Sequence, residues 1–306
     1  LQKTFVELSE GRNQDWMSGL FASHPPSQER VDNNRKTARK LPEGGEIGRE
    51  RYQQKTAYLR RVQPAYEAYD EAQKALADDK PAQAQEKLNQ ALAIEPREAL
   101  FHDLQGDLYA LNKKTDKALA SYQKAIRYDP GFFYGHLRKG QMEYELNRYS
   151  PAKESLNTSL ELMPTAEAHY LLGMLAKRQG DQAAAMEHFK TAAQSDSETG
   201  KKAIDEVVQM DLEKNPSNYI ASRPAVDKKG AVWAQFKNQT GVAVRDIEIS
   251  FMWLDEQGQT RQGVKRHKET LEGGKWDQVP LGISLANPGE LNNRVRTQVT
   301  AAKIAK

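Results

Sequence analysis

Histidine is the residue type in this chain most able to bind a metal ion or to transfer a proton near neutral pH. The sequence has no cysteine, which excludes thiolate ligands, thiol nucleophiles and disulfide bonds, and is neutral between a reducing cytoplasm and a periplasm. No two histidines are four residues apart, so the His-Glu-x-x-His arrangement that binds zinc on one helix is absent. The six are His24, His102, His136, His169, His188 and His267.

His24 lies in the most distinctive short motif, Ser-His-Pro-Pro, and Arg30 follows six residues later. The two prolines exclude a helix before them and Ser27 can cap a helix after them, so a loop followed by a helix is predicted. The alternative to a functional role is an ordinary loop histidine held by two prolines.

Length and charge limit the classes of function. A chain of 306 residues exceeds the size of a typical single core. No apolar run approaches the ~18 residues that a membrane span needs, so we expect no transmembrane segment. The 45 basic and 42 acidic residues are interspersed, with a net charge of +3, so we expect no nucleic-acid partner.

Self-similarity at a fixed period is the strongest signal in the chain. Pro96, Pro130 and Pro164 are each 34 residues apart. Small and bulky residues keep the same phase, at positions where two helices cross or where hairpins meet: Gly106, Gly140, Gly173, Ala118, Ala152, Ala185, Tyr122, Leu156 and Phe189. This pattern resembles the tetratricopeptide repeat (TPR), a helical hairpin.

The resemblance predicts a mainly α fold with a TPR α-solenoid over residues 49–216. The expected repeats cover about 65–98, 99–132, 133–165 and 166–198, followed by a capping helix over 198–214. His102, His136 and His169 share one repeat position, so we interpret them as packing or groove residues rather than a metal cluster.

The TPR resemblance implies a groove lined by the first helix of each hairpin. Three tyrosines and few charges suit an extended or helical peptide, and the Lys and Asn positions of a carboxylate clamp are not matched. The alternative is that the groove packs against another domain of the same polypeptide. The expected groove residues are Leu100, Asp103, Asp107, Tyr134, Leu137, Gln141, Tyr144, Tyr170, Met174 and Arg178.

From about residue 217 the apolar period changes from helical to alternating, which indicates strands. Residues 217–306 are expected to form an antiparallel, immunoglobulin-like β-sandwich of five to seven short strands. The densest basic run is Lys265 to Lys268. We interpret it as an edge strand protected by charge, with an anionic ligand site as the alternative.

The His-Pro-Pro loop, the following arginine and the TPR hairpins together resemble the CAAX prenyl protease and HtpX-like zinc metallopeptidases, whose bacterial members commonly carry TPRs. The resemblance implies that residues 1–48 are the end of a peptidase domain. It places His24 near the catalytic zinc, as an accessory ligand or a stabiliser of the tetrahedral intermediate, and gives Arg30 the role of anchoring the loop.

The family's His-Glu-x-x-His is missing from this chain. We therefore expect zinc in a longer parent protein, none in this chain, and no peptidase activity from the chain alone. The expected function is a protein-binding region of a bacterial envelope or periplasmic zinc metalloendopeptidase. It would select or present protein substrates, or regulate the peptidase by holding the upstream domain. The alternative is a non-catalytic TPR scaffold or adaptor for envelope protein assembly.

Overall fold

The computed structural model describes residues 28–40 and 48–305. The chain divides between Gln63 and Pro64 into two compact units. The first contains α1 (Gln28–Ala38), α2 (Arg49–Lys55) and the start of α3 (Ala57–Ala77). Among the described helices, none is both long enough and apolar enough to cross a membrane.

The second unit begins with a stack of helical hairpins. Helix α3 pairs with α4, and the next three hairpins and a final single helix follow in chain order. Their bounds are α4 (Pro81–Ile94), α5 (Ala99–Leu111), α6 (Thr115–Tyr128), α7 (Phe133–Glu145), α8 (Tyr149–Leu162), α9 (Ala166–Arg178), α10 (Gln182–Ala192) and α11 (Glu198–Asp211).

The turn inside each hairpin repeats one backbone conformation. Asp79, Lys113, Asn147 and Gly180 have φ values of 57°, 55°, 59° and 83°. In each case the next residue donates its N–H to a carbonyl five residues earlier, as Lys114 does to Tyr109 at 2.8 Å. A left-handed residue with such a bond satisfies carbonyls at the end of the first helix. The turns recur at spacings of 34, 34 and 33 residues, so the repeat extends to the backbone.

Glycines lie where the two helices of a hairpin cross, as the sequence pattern predicts. The bulky side chains that the pattern places between hairpins also lie against these glycines. A Cβ at Gly106 would lie 2.3 Å from the Tyr122 ring, and one at Gly173 would lie 2.7 Å from the Phe189 ring. Both rings are fully buried. Only glycine allows this approach, because a side chain would occupy the space of the ring.

Six strands follow the solenoid and form two three-stranded antiparallel sheets, with orders β1-β2-β5 and β4-β3-β6. The strand count lies within the predicted range. Two small sheets are what the structure shows; an immunoglobulin-like arrangement stays a prediction. The strands are β1 (Ile220–Val226), β2 (Ala231–Asn238), β3 (Val244–Leu254), β4 (Thr260–His267), β5 (Trp276–Ser284) and β6 (Val295–Ile304), with α12 (Leu291–Arg294) before β6.

Helix α11 joins the solenoid to these sheets. On the helix, Ala203 packs with the last hairpin, whereas Val208 belongs to the core of the β module. Leu212, which follows the helix, is fully buried in the same β-module core. Asp211 accepts a 2.8 Å hydrogen bond from the hydroxyl of Tyr219 at the entry to β1. The capping helix therefore contributes to two cores at once.

Candidate functional site

The two candidate catalytic residues lie at the start of the chain. His24 lies outside the described residues. Arg30 falls in the first turn of α1. The roles implied for both residues stay predictions.

Asp107 is the centre of a hydrogen-bond network that joins α5, α6 and α7. The hydroxyls of Tyr122 and Tyr134 donate to its two carboxylate oxygens, at 2.7 and 2.8 Å. Arg138 donates through Nε to Oδ1 at 2.9 Å, and through Nη1 to Oε1 of Gln141 at 2.5 Å. The Arg138 and Asp107 side chains are 25% and 16% exposed, so the pair lies at the surface but is largely desolvated.

This environment fixes the charge state of the network. Burial raises the pKa of the Tyr122 and Tyr134 hydroxyls, and the negative charge of Asp107 adds to the effect. Burial alone would lower the pKa of Arg138, but the negative charge of Asp107 acts together with Tyr122 and Tyr134, and the pKa is raised. At neutral pH the tyrosines are therefore neutral donors, and the arginine is charged.

Asp103 lies one turn before Asp107 and is buried, with 3% of its surface exposed. Neither carboxylate oxygen has a hydrogen-bond partner among the described residues. A Cβ at Gly135 would lie 3.1 Å from Oδ1, so glycine on α7 provides room for the carboxyl group. Burial, and then the charge of Asp107, raise the pKa of Asp103 to about 7. Burial, and then Asp103 and Asp107, raise the pKa of Tyr69 to about 12.

A second group of side chains continues across α7, α8 and α9. The rings of Tyr144 and Tyr149 meet edge to face, 5.9 Å between centroids. The guanidinium carbon of Arg178 lies 4.5 Å from the centroid of Tyr149. Tyr170 packs against the buried ring of Phe189, at 5.7 Å. Tyr149 on α8 thus contacts both Tyr144 of α7 and Arg178 of α9, and so connects two successive first helices.

The ten predicted groove residues differ in exposure. Asp103 and Leu137 are buried, so they offer no surface to a ligand in this conformation. Arg178 is exposed. The other seven are half-buried: Leu100, Asp107, Tyr134, Gln141, Tyr144, Tyr170 and Met174. We call the accessible polar and aromatic set the first-helix surface, defined by Asp107, Tyr134, Gln141, Tyr144, Tyr170 and Arg178.

Three charged residues of this region, Arg138, Lys177 and Glu206, were not predicted from the sequence. Arg138 lies one turn after Tyr134 on α7, and that spacing alone could have placed it on the same face. Glu206 on α11 accepts a 2.5 Å bond from Lys177 on α9. No sequence spacing identifies the Lys177–Glu206 pair, because the capping helix does not follow the 34-residue repeat.

The repeated histidines have structural partners. Nε2 of His102 lies 2.9 Å from the carbonyl oxygen of Pro96, and Nε2 of His136 lies 3.2 Å from that of Pro130. The Nδ1 atoms of His169 and His188 are 3.1 Å apart. Burial lowers the pKa of His102, His169 and His188, and His188 further lowers that of His169.

The catalytic zinc of a metallopeptidase does not fit this chain. The full sequence contains no His-Glu-x-x-His. Across residues 28–40 and 48–305, a single group of three metal-ligand side chains meets the distance needed for one ion, and that group lies in the β module. No step of peptide hydrolysis is therefore assigned to these residues.

Comparison with known proteins supports the helical repeat. The tetratricopeptide repeat family model TPR_16 matches residues 69–131 and 137–199. None of the curated proteins compared with the chain matches it.

Three solved structures illustrate the similarity. MamA (residues 41 to the end) from Desulfovibrio magneticus RS-1 is 21% identical, with a TM-score of 0.43, over 50% of this chain and 86% of that one. The first TPR of Spaghetti (RPAP3), bound to an HSP90 peptide, is 19% identical, with a TM-score of 0.38, over 39% and 98%. The Arabidopsis OM64 TPR domain is 18% identical, with a TM-score of 0.37, over 39% and 98%.

The family match and the repeated hairpin geometry agree on the fold. Stacked repeats of this kind present an extended surface to other proteins. The chain therefore carries tetratricopeptide repeats, which indicate a role in protein–protein interaction or as a scaffold.

Proposed function

We propose that the first-helix surface binds a segment of another protein in an extended or helical conformation. The observation that carries the proposal is the continuity of half-buried aromatic and polar side chains across α5, α7 and α9, from Asp107 to Tyr170, with the exposed Arg178 at the end of α9. Tyrosine and arginine are enriched where proteins meet, because they combine apolar area with hydrogen bonding.

The Asp107 network favours a preformed surface. Tyr122, Tyr134 and Arg138 are already held by the carboxylate, so few of these side chains need to be ordered when a ligand binds. Preorganisation of this kind reduces the entropic cost of association. Gln141 is bonded to Arg138 and Glu145, and Arg178 stacks on Tyr149. Both side chains keep N–H groups that can donate to a peptide backbone.

Peptide display followed by affinity measurement tests this proposal. Peptides selected on the chain from a random library are expected to lose at least about tenfold in affinity, about 1.4 kcal/mol, for Gln141→Ala and Arg178→Ala. Lys190→Ala, an exposed change on the second helix α10, is the matched control and should leave affinity unchanged. If the selected peptides bind both first-helix variants with unchanged affinity, binding occurs elsewhere on the chain.

We further propose that this interaction serves a zinc metalloendopeptidase of the bacterial envelope, of which the chain is the C-terminal region. The support is the combined resemblance of the His24 loop, Arg30 and the repeats. In this proposal the zinc belongs to the parent protein. The two sheets, as an immunoglobulin-like β-sandwich, assist in presenting protein substrates. The competing function is a scaffold for envelope protein assembly without a peptidase.

The reading frame upstream of Leu1 separates these functions. A His-Glu-x-x-His followed by a distant glutamate is expected there, and its absence would leave the scaffold role. In the parent protein, Tyr134→Ala with Tyr170→Ala should abolish protein cleavage and preserve short-peptide cleavage if the surface captures substrates. Increased cleavage of both substrates would instead show that the surface restrains the peptidase.

A further inference from the structure

His267, at the end of β4, is a buried histidine with an unsatisfied ring nitrogen. The residue is 7% exposed, and its Nε2 atom has no hydrogen-bond partner among the described residues. Its ring packs edge to face on Phe236 of the other sheet, 5.1 Å between centroids. A buried nitrogen without a partner costs free energy unless a proton donor, a water or a metal ion satisfies it.

Two carboxylates lie beside this nitrogen. Oδ2 of Asp277, on β5, is 3.4 Å from Nε2 of His267. Glu269 belongs to the connection between β4 and β5, and one ligand atom from each of the three residues falls within 4.8 Å of the others. Two ligands of a tetrahedral zinc ion, at bond lengths of about 2.0–2.1 Å, lie about 3.3–3.4 Å apart. The His267–Asp277 separation therefore already suits one ion.

The backbone around the three residues is fixed. His267 pairs in register with Ile247, and Asp277 with Phe236. Beyond Glu269, the connection is anchored where Leu271 and Val244 exchange hydrogen bonds of 2.7 and 3.0 Å. Oδ1 of Asp277 accepts from the backbone N–H of Gln278 at 2.7 Å, which leaves Oδ2 for a ligand. Such partners orient a ligand before the metal arrives.

The local charge admits a cation despite the basic run. Arg266 is paired with Glu248 through a 2.9 Å contact. Nζ of Lys265 lies 3.8 Å from a Cβ placed on Gly282, five residues along β5 from Asp277. Lys268, between two of the three residues, is exposed to solvent, and the two carboxylates of the group balance the charge of a divalent ion.

We propose that His267, Glu269 and Asp277 form a zinc site that joins the two sheets of the β module. One nitrogen and two oxygen ligands occupy three positions of a tetrahedral ion, and a fourth position is left for water. The ion would hold β4 and β5 together at this edge, because His267 lies on β4 and Asp277 on β5, which belong to different sheets. A zinc ion here would differ from the expectation of no zinc in this chain, which stays untested. The site is independent of the first-helix surface and of any upstream peptidase.

Zinc titration of the metal-stripped chain tests the proposal, with calorimetry for stoichiometry and thermal unfolding for stability. One zinc ion per chain and a higher unfolding temperature are expected. Co²⁺ in place of zinc should give the visible absorption of a tetrahedral site. Magnesium should not compete, since it prefers six oxygen ligands.

Single substitutions locate the ion. Asp277→Asn and Glu269→Gln should each weaken zinc binding at least about tenfold. Glu272→Gln makes the same change at an exposed position of the same connection and should have no effect. His188→Gln alters the close His169–His188 pair of the solenoid and should also leave binding intact. No stoichiometric zinc, or binding that survives both ligand changes, would overturn the proposal.

Discussion

Asp103 shows how a single carboxyl group can depend on the fold around it. It is buried beside Gly135, and the described residues give it no hydrogen-bond donor. The ionised form is therefore penalised by desolvation and by the neighbouring charge of Asp107, which raises the pKa to about 7 from an ordinary 3.8. In the folded chain the carboxyl group stays buried because it binds a proton, and not because a partner stabilises its negative charge.

The sign of the pH dependence follows from that shift. Below about pH 4, Asp103 is protonated in both states and does not affect the pH dependence of the free energy of unfolding. Between pH 4 and 7 the unfolded chain releases this proton while the folded chain keeps it, so stability falls as pH rises. Above pH 7 both states are ionised and the loss is complete.

Asp103→Asn should remove this loss. The quantity to compare is the free energy of unfolding of the variant minus that of the original chain. This difference should be about 2 kcal/mol larger at pH 8 than at pH 5. Urea denaturation at the two pH values measures the difference. Asp70→Asn changes an exposed carboxyl on α3 and should show no such trend. Parallel pH profiles for Asp103→Asn and the original chain would mean that the carboxyl is solvated or paired in solution.

At the scale of the helices, repeat phase predicted much of the packing. It identified the glycines at the helix crossings and the bulky side chains of the core. It placed those side chains between hairpins and did not predict their contact with the glycines, such as Tyr122 on Gly106. It could not predict which groove residues are buried. The carboxyl of Asp103 occupies space beside Gly135, which is 32 residues away in the sequence and belongs to the next hairpin. Nor could repeat phase find the His267–Asp277 pair, because that contact depends on the register of two different sheets.

Gly106→Ala tests the link between helix packing and the first-helix surface. The added methyl would lie 2.3 Å from the Tyr122 ring, which is fully buried and donates its hydroxyl to Asp107. Overpacking of this kind costs about 1–3 kcal/mol. The gain in helix propensity, up to about 1 kcal/mol, opposes it. Thermal unfolding should show a net loss, and peptides bound by the surface should bind more weakly because the Asp107 network shifts.

Gly131→Ala is the matched change. Its Cβ would meet only the Asp129 side chain, at an ordinary 3.5 Å, in the turn before α7. Stability and peptide affinity should both stay close to those of the original chain. Equal losses for the two variants would mean that any added methyl is harmful and that the crossing at Gly106 is not special.

At the scale of the molecule, α11 packs against both the last hairpin of the repeats and the core of the β module. Residues from Pro64 onward form one compact unit rather than separate solenoid and β units. Val208 and Leu212 are 2% and 0% exposed within the β-module core, while Ala203, one turn or more earlier, packs with the last hairpin. Because one helix packs in both cores, the last hairpin and the β module are expected to unfold together.

Leu212→Ala should therefore destabilise both parts. Removing a fully buried leucine side chain costs about 2–5 kcal/mol. Hydrogen exchange should accelerate in α9 and α10 as well as in β1 and β6, with one unfolding transition throughout. Ile204→Ala removes a side chain that is 44% exposed on the same helix, so its effect should be much smaller. Faster exchange confined to the strands would show that the solenoid is stable without the β module, and that α11 caps the repeats without coupling the two cores.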